Sequence, residues 1–305
     1  MSLRVISAGL CAVQDLGRFG HEAAGVAPGG AADTWAAELG NALVGNPAHS
    51  ALLEIQLSAA RFLFERAATL SITGAELSAT LSGKLVELGC PVSAQAGETL
   101  CIERFIRGQV AYLAIDGGIE VPAVLGSRST DLQAGFGGFA GRWLRAGDRL
   151  GLGEATAIAR PGSWWCELPL PRSHTVLRYL PGPLRVESLN GSRWRVGRDA
   201  NRMGLRLEGT RIAASFPQQR SAGVVPGAIQ LPPNGQPIVL STDAQTLGGY
   251  PLIGCVISAD LRFLAQLNPG SSVSFEASGL IEARALAKRQ RAQFNALLYA
   301  IGDQR

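Results

Sequence analysis

The chain has 305 residues, of which 47% are hydrophobic and 17% charged, so it is expected to be globular with a sizeable core. Its net charge of +4 comes almost wholly from arginines spread along the sequence, which indicates a solvated surface and argues against a nucleic-acid partner. No apolar run reaches the length of about eighteen residues needed to span a membrane, and the N-terminus lacks the apolar core of a signal peptide.

The cysteines and histidines indicate no metal site. The chain has 5 cysteines, an odd number without a CxxC pair, and only 3 histidines. These residues do not form a zinc-binding template. We therefore expect a reduced, cytoplasmic protein without a bound metal.

Short apolar segments between turns dominate the chain and predict a mainly β fold, in keeping with its 38 glycines and 16 prolines. Residues 61–89, RFLFERAATLSITGAELSATLSGKLVELG, alternate in polarity and are expected to break at Gly74, Gly83 and Gly89. Further strands are expected in GQVAYLAIDGG, GDRLGLG, HTVLRYLPGP, RWRVGRD, QPIVLS and SSVSFEA.

Three helices are expected. The first spans residues 33–45 with Asp33 as its N-cap, and the second begins at the cap Ser258 and stops before Pro269. The strongest helix covers residues 281–302 and ends at Gly302, with its basic residues on a solvated face rather than on a membrane.

Prolines interrupt the strand pattern over residues 159–174, which places a domain boundary there and predicts domains 1–160 and 161–305. The two halves resemble each other faintly, because AYLAIDGGI and PIVLSTDAQ are both apolar strands that run into an aspartate. Two similar β-barrels would explain this similarity.

The common self-contained motifs are missing. The sequence has no GxxxxGK[ST] phosphate loop and no GxSxG elbow, and GFGGFAG (135–141) leads to a turn and strand rather than to a crossover helix. Four clusters of polar residues and glycines occur at 13–21, 125–142, 201–209 and 223–251. Turn chemistry explains any one of them, but four clusters rich in Gln, Arg, Ser and Thr favour a small polar substrate such as an amide or a carboxylate.

Long motifs within these clusters carry a resemblance to a known family. They are VQDLGRFGHEAAGVAPGGAAD, GNPAHSALLEI, YLAIDGGIEVPAVLGSRSTD, NRMGLRLEG and PGAIQLPPNGQPIVLSTDAQTLGGYP. From about residue 4 to 276 the chain resembles the family of the 5-oxoprolinase C subunit, also called KipA-like or allophanate hydrolase subunit 2-like and grouped with biotin-dependent carboxyltransferases.

The resemblance implies two cyclophilin-like β-barrel domains and an amide or lactam hydrolase that is active only as part of a complex. Its partners would be a small, B-type (KipI-like) subunit and a third, A-type subunit. The complex would open 5-oxo-L-proline to L-glutamate with ATP.

Three alternatives stay open. The chain could be a carboxyltransferase that acts on urea or another small amide and uses carboxybiotin, as in related urea carboxylases. It could be a KipA-like regulatory module that binds a kinase-inhibitor partner without chemistry. It could also be a stand-alone small-molecule-binding barrel.

Two positions depart from the family pattern. Asn201 stands in Ala-Asn-Arg-Met-Gly where relatives have Ser-Asp-Arg-Met-Gly, and Ala222 stands where relatives often have glutamate. A general-base role at position 201 is therefore not expected. The family's Asp-Ala-Gln-Thr is intact at 243–246.

The strand at 238–240 is expected to present the polar residues 241–246 at a barrel mouth, with Asp243 orienting or deprotonating an amide nitrogen or a water. Arg128 is the expected clamp for a carboxylate or a developing oxyanion. The other expected substrate-binding residues are Gln14, Arg18, Ser127, Ser129, Thr130, Asn201, Arg202, Gln230, Gln245, Thr246 and Tyr250.

Overall fold

The computed structural model describes residues 2–154, 165–213 and 220–303. The chain divides into two compact units: unit 1 comprises Met1–Arg18, Gly29–Leu170 and Asn295–Arg305, and unit 2 comprises Phe19–Pro28 and Pro171–Phe294. The boundary predicted between residues 160 and 161 lies outside the described residues and stays a prediction.

Ten strands and one helix lie in unit 1. They are β1 (Ser2–Ser7), β2 (Leu10–Gln14), α1 (Thr34–Leu43), β3 (Leu52–Gln56), β4 (Ala60–Phe64), β5 (Ala68–Leu81), β6 (Lys84–Leu85), β7 (Val92–Ala94), β8 (Thr99–Ile115), β9 (Ile119–Glu120) and β10 (Arg149–Leu152).

Unit 2 contains the remaining strands, a short helix and most of the C-terminal helix. They are β11 (His174–Pro181), β12 (Arg193–Val196), β13 (Gly204–Gly209), β14 (Ala222–Gly223), β15 (Ala228–Gln230), β16 (Ile238–Leu240), β17 (Leu247–Gly248), β18 (Leu252–Val256), α2 (Leu261–Ala265), β19 (Ser272–Ala277) and α3 (Leu280–Asp303). Single 3₁₀ turns occur at Glu22–Ala24 and Glu187–Leu189.

The strands of unit 1 form one ten-stranded sheet in the order β2-β3-β8-β4-β1-β10-β9, with β5 pairing β6, β7 and β8. Cys11 and Val13 from one end of this order and Ile119 from the other end belong to the same buried cluster, so the sheet rolls around a single core. The long strands β5 and β8 supply much of that core, because their side chains alternate between the core and the other face.

Gly74 does not end a strand, which corrects the expected break at this position. The strand β5 continues through it, and its register with β8 shifts between Gly74 and Glu76. Gly74 has a φ of +92°, and a Cβ atom there would lie 2.5 Å from the carbonyl oxygen of Val110. The glycine therefore permits a bulge in a continuous strand.

The helix α1 begins where the sequence predicts. The Asp33 side chain caps it by accepting a hydrogen bond from the amide of Ala36 at 3.2 Å. Two hydroxyls of β5 attach the helix to the sheet, since Ser71 donates to the Gly40 carbonyl at 2.8 Å and Thr73 donates to the Ala36 carbonyl at 2.7 Å.

The main sheet of unit 2 is a closed barrel in the order β11-β18-β15-β16-β13-β12-β19. It closes by the parallel pairing of β11 with β19, in which His174 lies opposite Ser272. The barrel interior is filled by a cluster that includes Trp194, Val239 and Phe275. A separate two-stranded ribbon pairs β14 with β17.

The two remaining helices differ slightly from prediction. The cap of α2 is Asp260 rather than Ser258, and Asp260 does not cap through its side chain because its carboxylate binds Arg178. The helix α3 starts one residue before and ends one residue after the predicted span. The prediction of a mainly β fold with few helices and a C-terminal helix is confirmed. Among the described residues, no helix is long and apolar enough to cross a membrane.

Candidate functional site

The central residue of the polar cluster in unit 1 is Asp15, which the sequence did not single out. Its Oδ1 atom accepts hydrogen bonds from the Ser127 hydroxyl at 2.6 Å, from the Ser129 hydroxyl at 2.5 Å and from the Gly17 amide at 2.8 Å. Its Oδ2 atom accepts one from the backbone amide of Arg128 at 2.6 Å. The carboxylate thus fastens the loop at 127–129 to the end of β2.

Arg128 is exposed on this loop, in contrast to its buried neighbours Ser127 and Ser129. Its Nε atom donates to the carbonyl of Val121 at 3.1 Å. No carboxylate among the described residues pairs with its guanidinium. Two hydrogen bonds use the backbone amide and the Nε atom of Arg128. The two terminal nitrogens of its guanidinium are further donors that an external acceptor could use.

The other predicted residues of unit 1 are buried and engaged. Gln14 donates through Nε2 to the Thr130 carbonyl at 3.2 Å, while its Oε1 atom is buried without a partner among the described residues. The Thr130 hydroxyl donates to the Val13 carbonyl at 2.8 Å. Arg18 is 1% exposed, donates to the Ser129 carbonyl, and lies with Cζ 4.7 Å from the centre of the Phe136 ring. These three side chains are buried and hold the loop at 127–130 in place, so they do not face solvent.

In unit 2 the polar segment after β16 is anchored through Ala244 in a cluster separate from the barrel core, and its expected position at the barrel mouth stays a prediction. Ile229 and Val239 point into the barrel core. Leu240 and Ala244 instead pack with Ala228 in a second cluster. Since side chains alternate along a strand, Gln230 shares the outward face of Ala228.

Asp243 is held by Arg202 in a side-on ion pair. Arg202 Nε donates to Asp243 Oδ2 at 2.6 Å and Arg202 Nη2 donates to Oδ1 at 2.9 Å. Their side chains are 8% and 9% exposed, respectively, so the pair is largely shielded from water. The backbone reinforces it, because the Asp243 amide donates to the Arg202 carbonyl at 2.9 Å. The two residues form one unit, which their separation in the sequence did not indicate.

Asn201 makes a local hydrogen bond through its side chain. Its Oδ1 atom accepts a hydrogen bond from the Met203 amide at 2.9 Å, the pattern of an Asx turn. Either an amide or a carboxylate oxygen can make this bond. The contact stabilises the turn that carries Arg202.

Gln230 is 1% exposed, and its Nε2 atom has no hydrogen-bond partner among the described residues. A Cβ atom on Gly248, in the ribbon, would lie only 2.3 Å from that nitrogen. The glycine therefore makes room for the amide. The Thr242 hydroxyl is likewise buried without a partner in the described part of the chain. A buried donor without an acceptor is costly, so these atoms are candidates for ligand contacts.

The remaining predicted residues differ in exposure. Thr246 is 9% exposed, and its carbonyl accepts from the Val224 amide at 2.9 Å. Gln245 is exposed, and Tyr250 is 47% exposed. Ala222 is exposed on the ribbon opposite Gly248.

The structure thus assembles two clusters, one in each unit. Sequence reasoning missed Asp15, and it did not indicate that Gly248 makes room for the Gln230 side chain. Asp15 could have been found from the Asp-x-Gly turn formed with Gly17, whereas the role of Gly248 depends on its approach to a distant side chain. In the described ranges, no group of three His, Cys, Asp or Glu residues is placed to hold a metal ion.

The rolled sheet of unit 1 and the closed barrel of unit 2 each carry a cluster of polar residues, and comparison with known proteins identifies the family. Residues 24–277 match the family model described as carboxyltransferase domain, subdomain A and B. The chain belongs to this family.

Two relatives carry the same name. The chain is 38% identical to the 5-oxoprolinase C subunit of Escherichia coli K12 over 311 aligned positions, which cover 99% of each chain. It is 36% identical to the 5-oxoprolinase C subunit of Haemophilus influenzae over 91% of each chain. The resemblance predicted from the sequence motifs is confirmed.

A solved structure shares the fold. The urea carboxylase of Kluyveromyces lactis superimposes with a TM-score of 0.88 at 28% identity. That match covers 97% of this chain but only 29% of the urea carboxylase chain.

Proposed function

We propose that the chain is the C subunit of an ATP-dependent 5-oxoprolinase complex that opens 5-oxo-L-proline to L-glutamate. The observation that carries this proposal is the 38% identity to the E. coli 5-oxoprolinase C subunit across 99% of both chains. Urea amidolyase of Lachancea kluyveri is less similar, at 31% identity over 17% of that protein's length. The partners we propose are a small, B-type subunit and a third, A-type subunit.

The proposed reaction needs a few defined contacts. 5-Oxo-L-proline is a five-membered lactam that carries a carboxylate. In its hydrolysis the oxygen of water bonds to the lactam carbonyl carbon, the ring C–N bond breaks, and the released nitrogen takes up a proton. A site for this reaction needs donors for the carbonyl oxygen, an acceptor for the lactam N–H and a cation for the carboxylate.

The cluster of unit 2 offers groups for the lactam. We assign the carbonyl oxygen to Gln230 Nε2, because this buried donor has no acceptor among the described residues. We assign to Asp243 the lactam N–H or the attacking water, which it would orient or deprotonate. Its carboxylate is oriented by Arg202 and keeps further lone pairs. Thr242 adds a hydroxyl that both donates and accepts.

In unit 1, and as a candidate separate from the cluster of unit 2, we propose that Arg128 binds a carboxylate. Its exposed guanidinium is fixed at Nε, and no described carboxylate neutralises it. A guanidinium binds a carboxylate in two parallel hydrogen bonds. ATP acts at the level of the complex in this proposal, and no step on this chain depends on it.

A second candidate function is carboxyl transfer to urea or another small amide. It is favoured by the TM-score of 0.88 to the K. lactis urea carboxylase. In that reaction the N–C bond of carboxybiotin would break as the amide nitrogen forms the new N–C bond, and the proton lost by the amide would end on the freed biotin nitrogen. The same amide-binding residues of unit 2 would serve here.

Reconstitution tests the proposed function. The chain is purified alone and with B-type and A-type partners, and glutamate release from 5-oxo-L-proline is measured with and without ATP. We expect turnover only with the partners and ATP. Hydrolysis by the chain alone would contradict the need for a complex. A reconstituted complex that ignores 5-oxo-L-proline but carboxylates urea with a biotin carboxylase would establish the second function instead.

Two alanine substitutions on the β14–β17 ribbon test the lactam site. Gly248→Ala places a methyl group 2.3 Å from Gln230 Nε2 and should displace that amide. Gly223→Ala, on the other strand of the ribbon, has no atom within 4 Å of the new Cβ and serves as control. We expect Gly248→Ala to raise the KM by about tenfold, as for loss of a hydrogen bond, with Gly223→Ala unchanged. Equal KM values for both variants would remove Gln230 from the site.

A further inference from the structure

We infer that Asp15 is a positioning residue that sets the orientation of Arg128, a role that rests on the proposed function of Arg128 as the carboxylate-binding residue. The inference starts from the asymmetry of the Asp15 carboxylate. One oxygen accepts three hydrogen bonds, from Gly17, Ser127 and Ser129, and the other accepts a single bond from the Arg128 amide. With 7% exposure, Asp15 makes these bonds largely shielded from water.

The three bonds to one oxygen hold the carboxylate in place. Ser129 also accepts from the Asp15 amide at 3.0 Å, and the Ser129 amide donates to the Ser127 hydroxyl at 3.0 Å. The hydroxyls of Ser127 and Ser129 both donate to Asp15 and orient its carboxylate. Their expected contact with the substrate stays a prediction.

The hydrogen bond from the Arg128 amide to Asp15 Oδ2 fixes the backbone of Arg128 to this carboxylate. The Val121 carbonyl fixes the Nε atom of Arg128. Between these two anchors the side chain has few conformations left, although it is exposed. A guanidinium that is held before the ligand arrives loses less conformational freedom on binding. Asp15 thus acts on carboxylate affinity through Arg128 and touches no ligand itself.

Replacing Asp15 by asparagine distinguishes the three hydrogen bonds to Oδ1 from the single hydrogen bond between Oδ2 and the Arg128 amide. The three donors around one oxygen require the carbonyl oxygen of the new amide at that place. The NH₂ group of the asparagine then faces the backbone N–H of Arg128. Both groups are donors, so no hydrogen bond can form between them. Asp15→Asn should keep the serine contacts and lose the one to Arg128.

A double-mutant cycle in the reconstituted complex tests the inference, using wild type, Asp15→Asn, Arg128→Ala and the double variant. We expect Asp15→Asn to raise the KM for 5-oxo-L-proline by about tenfold, the scale of one charge-assisted hydrogen bond, with little change in kcat. In the Arg128→Ala background, Asp15→Asn should add nothing. Additive effects, or a fall in kcat alone, would overturn the positioning role.

Asp131→Asn is the matched control, because Asp131 also caps a turn of this loop, with bonds to the Gln133 and Ala134 amides, but makes no bond to Arg128. We expect its KM to equal that of wild type. A KM raised as much as in Asp15→Asn would mean that any loosening of the loop produces the effect, which would refute the inference.

Amide hydrogen exchange of the chain by itself gives a readout that does not depend on the reaction. Asp15→Asn should raise exchange at residue 128 more than at 129, whereas unchanged exchange at residue 128 would refute the inference. If the complex does not turn over 5-oxo-L-proline, the proposed function fails, and this measurement still decides the role of Asp15. If Asp15→Asn does not fold, Ser127→Ala removes one bond to the same carboxylate and should raise exchange at residue 128 to a smaller extent. No rise in that variant would equally count against the inference.

Discussion

Replacing Asp243 by asparagine tests whether the ion pair with Arg202 is part of the reaction or only of the fold. The change removes one charge from a side-on pair whose donor–acceptor distances are 2.6 and 2.9 Å and whose side chains are 8% and 9% exposed. Removing one partner of a buried pair costs about 3–5 kcal/mol. Because asparagine still accepts one bond from Arg202, we expect a loss of about 3 kcal/mol in the free energy of unfolding.

Asp260 provides the matched control within the same unit. It binds Arg178 with the same side-on geometry, through Nε at 2.9 Å and Nη2 at 2.5 Å, and its side chain is 1% exposed. Asp260→Asn should therefore also destabilise the protein by about 2–3 kcal/mol. Neither Asp260 nor Arg178 belongs to the candidate site. Comparing Asp243→Asn with Asp260→Asn therefore separates the loss of folding stability from a loss of turnover.

The assay combines urea unfolding with turnover of the reconstituted complex on the same preparations. We expect Asp243→Asn to lower kcat per folded molecule by about a hundredfold or more, as for a positioned acid–base group, and Asp260→Asn to leave it unchanged. If Asp243→Asn unfolds earlier but retains wild-type turnover per folded molecule, Asp243 only supports Arg202. A destabilisation below about 1 kcal/mol would contradict the buried ion pair itself.

Two further predictions concern titration. Burial, with the charge of Glu54, raises the pKa of the Cys11 thiol above its usual range. Cys11 should therefore resist a thiol reagent at pH 8 and react only after unfolding. Rapid labelling of Cys11 in the native protein, detected by peptide mass spectrometry, would contradict this prediction. The Arg142 hydrogen bond lowers the pKa of Asp148, so its stabilisation is present above the ordinary aspartate pKa of about 4 and is lost as the pH falls through the lower folded value. Asp148→Asn should therefore be less stable than wild type at pH 6, and the gap should close as the pH falls below about 4, as measured by thermal unfolding; a gap independent of pH would be inconsistent with it.

Local signals in the sequence were enough for much of the fold. Asp33 before an amphipathic run specified the start of α1, because capping involves residues only three positions apart. Gly74 was misassigned because a glycine in a strand pattern fits both a turn and a bulge, and the choice depends on β8, about 36 residues further on. Ser258 was predicted as the cap of α2, but the cap is Asp260, whose carboxylate binds Arg178, 82 positions away in the sequence.

The candidate site was less predictable for the same reason. Asp15 and the loop at 127–129 are more than a hundred residues apart, and nothing in either segment specifies that one carboxylate takes up both serine hydroxyls. The Arg202–Asp243 pair spans 41 residues. Residue types indicated polar chemistry, but only the strand register brings the partners together.

Because β11 pairs in parallel with β19, the last strand of the barrel, the barrel of unit 2 can close only after β19 is present. His174 and Ser272 are 98 positions apart, so the first strand of the barrel has to find the last one. Closing a flexible loop of that length costs about 4 kcal/mol plus a constant, before any contact of β19 compensates for it. During synthesis β11 leaves the ribosome long before β19, and its edge stays open in the meantime. A chain shortened before Ser272 is therefore expected to leave β11 and β12 unpaired on that side and to aggregate rather than form a smaller stable barrel.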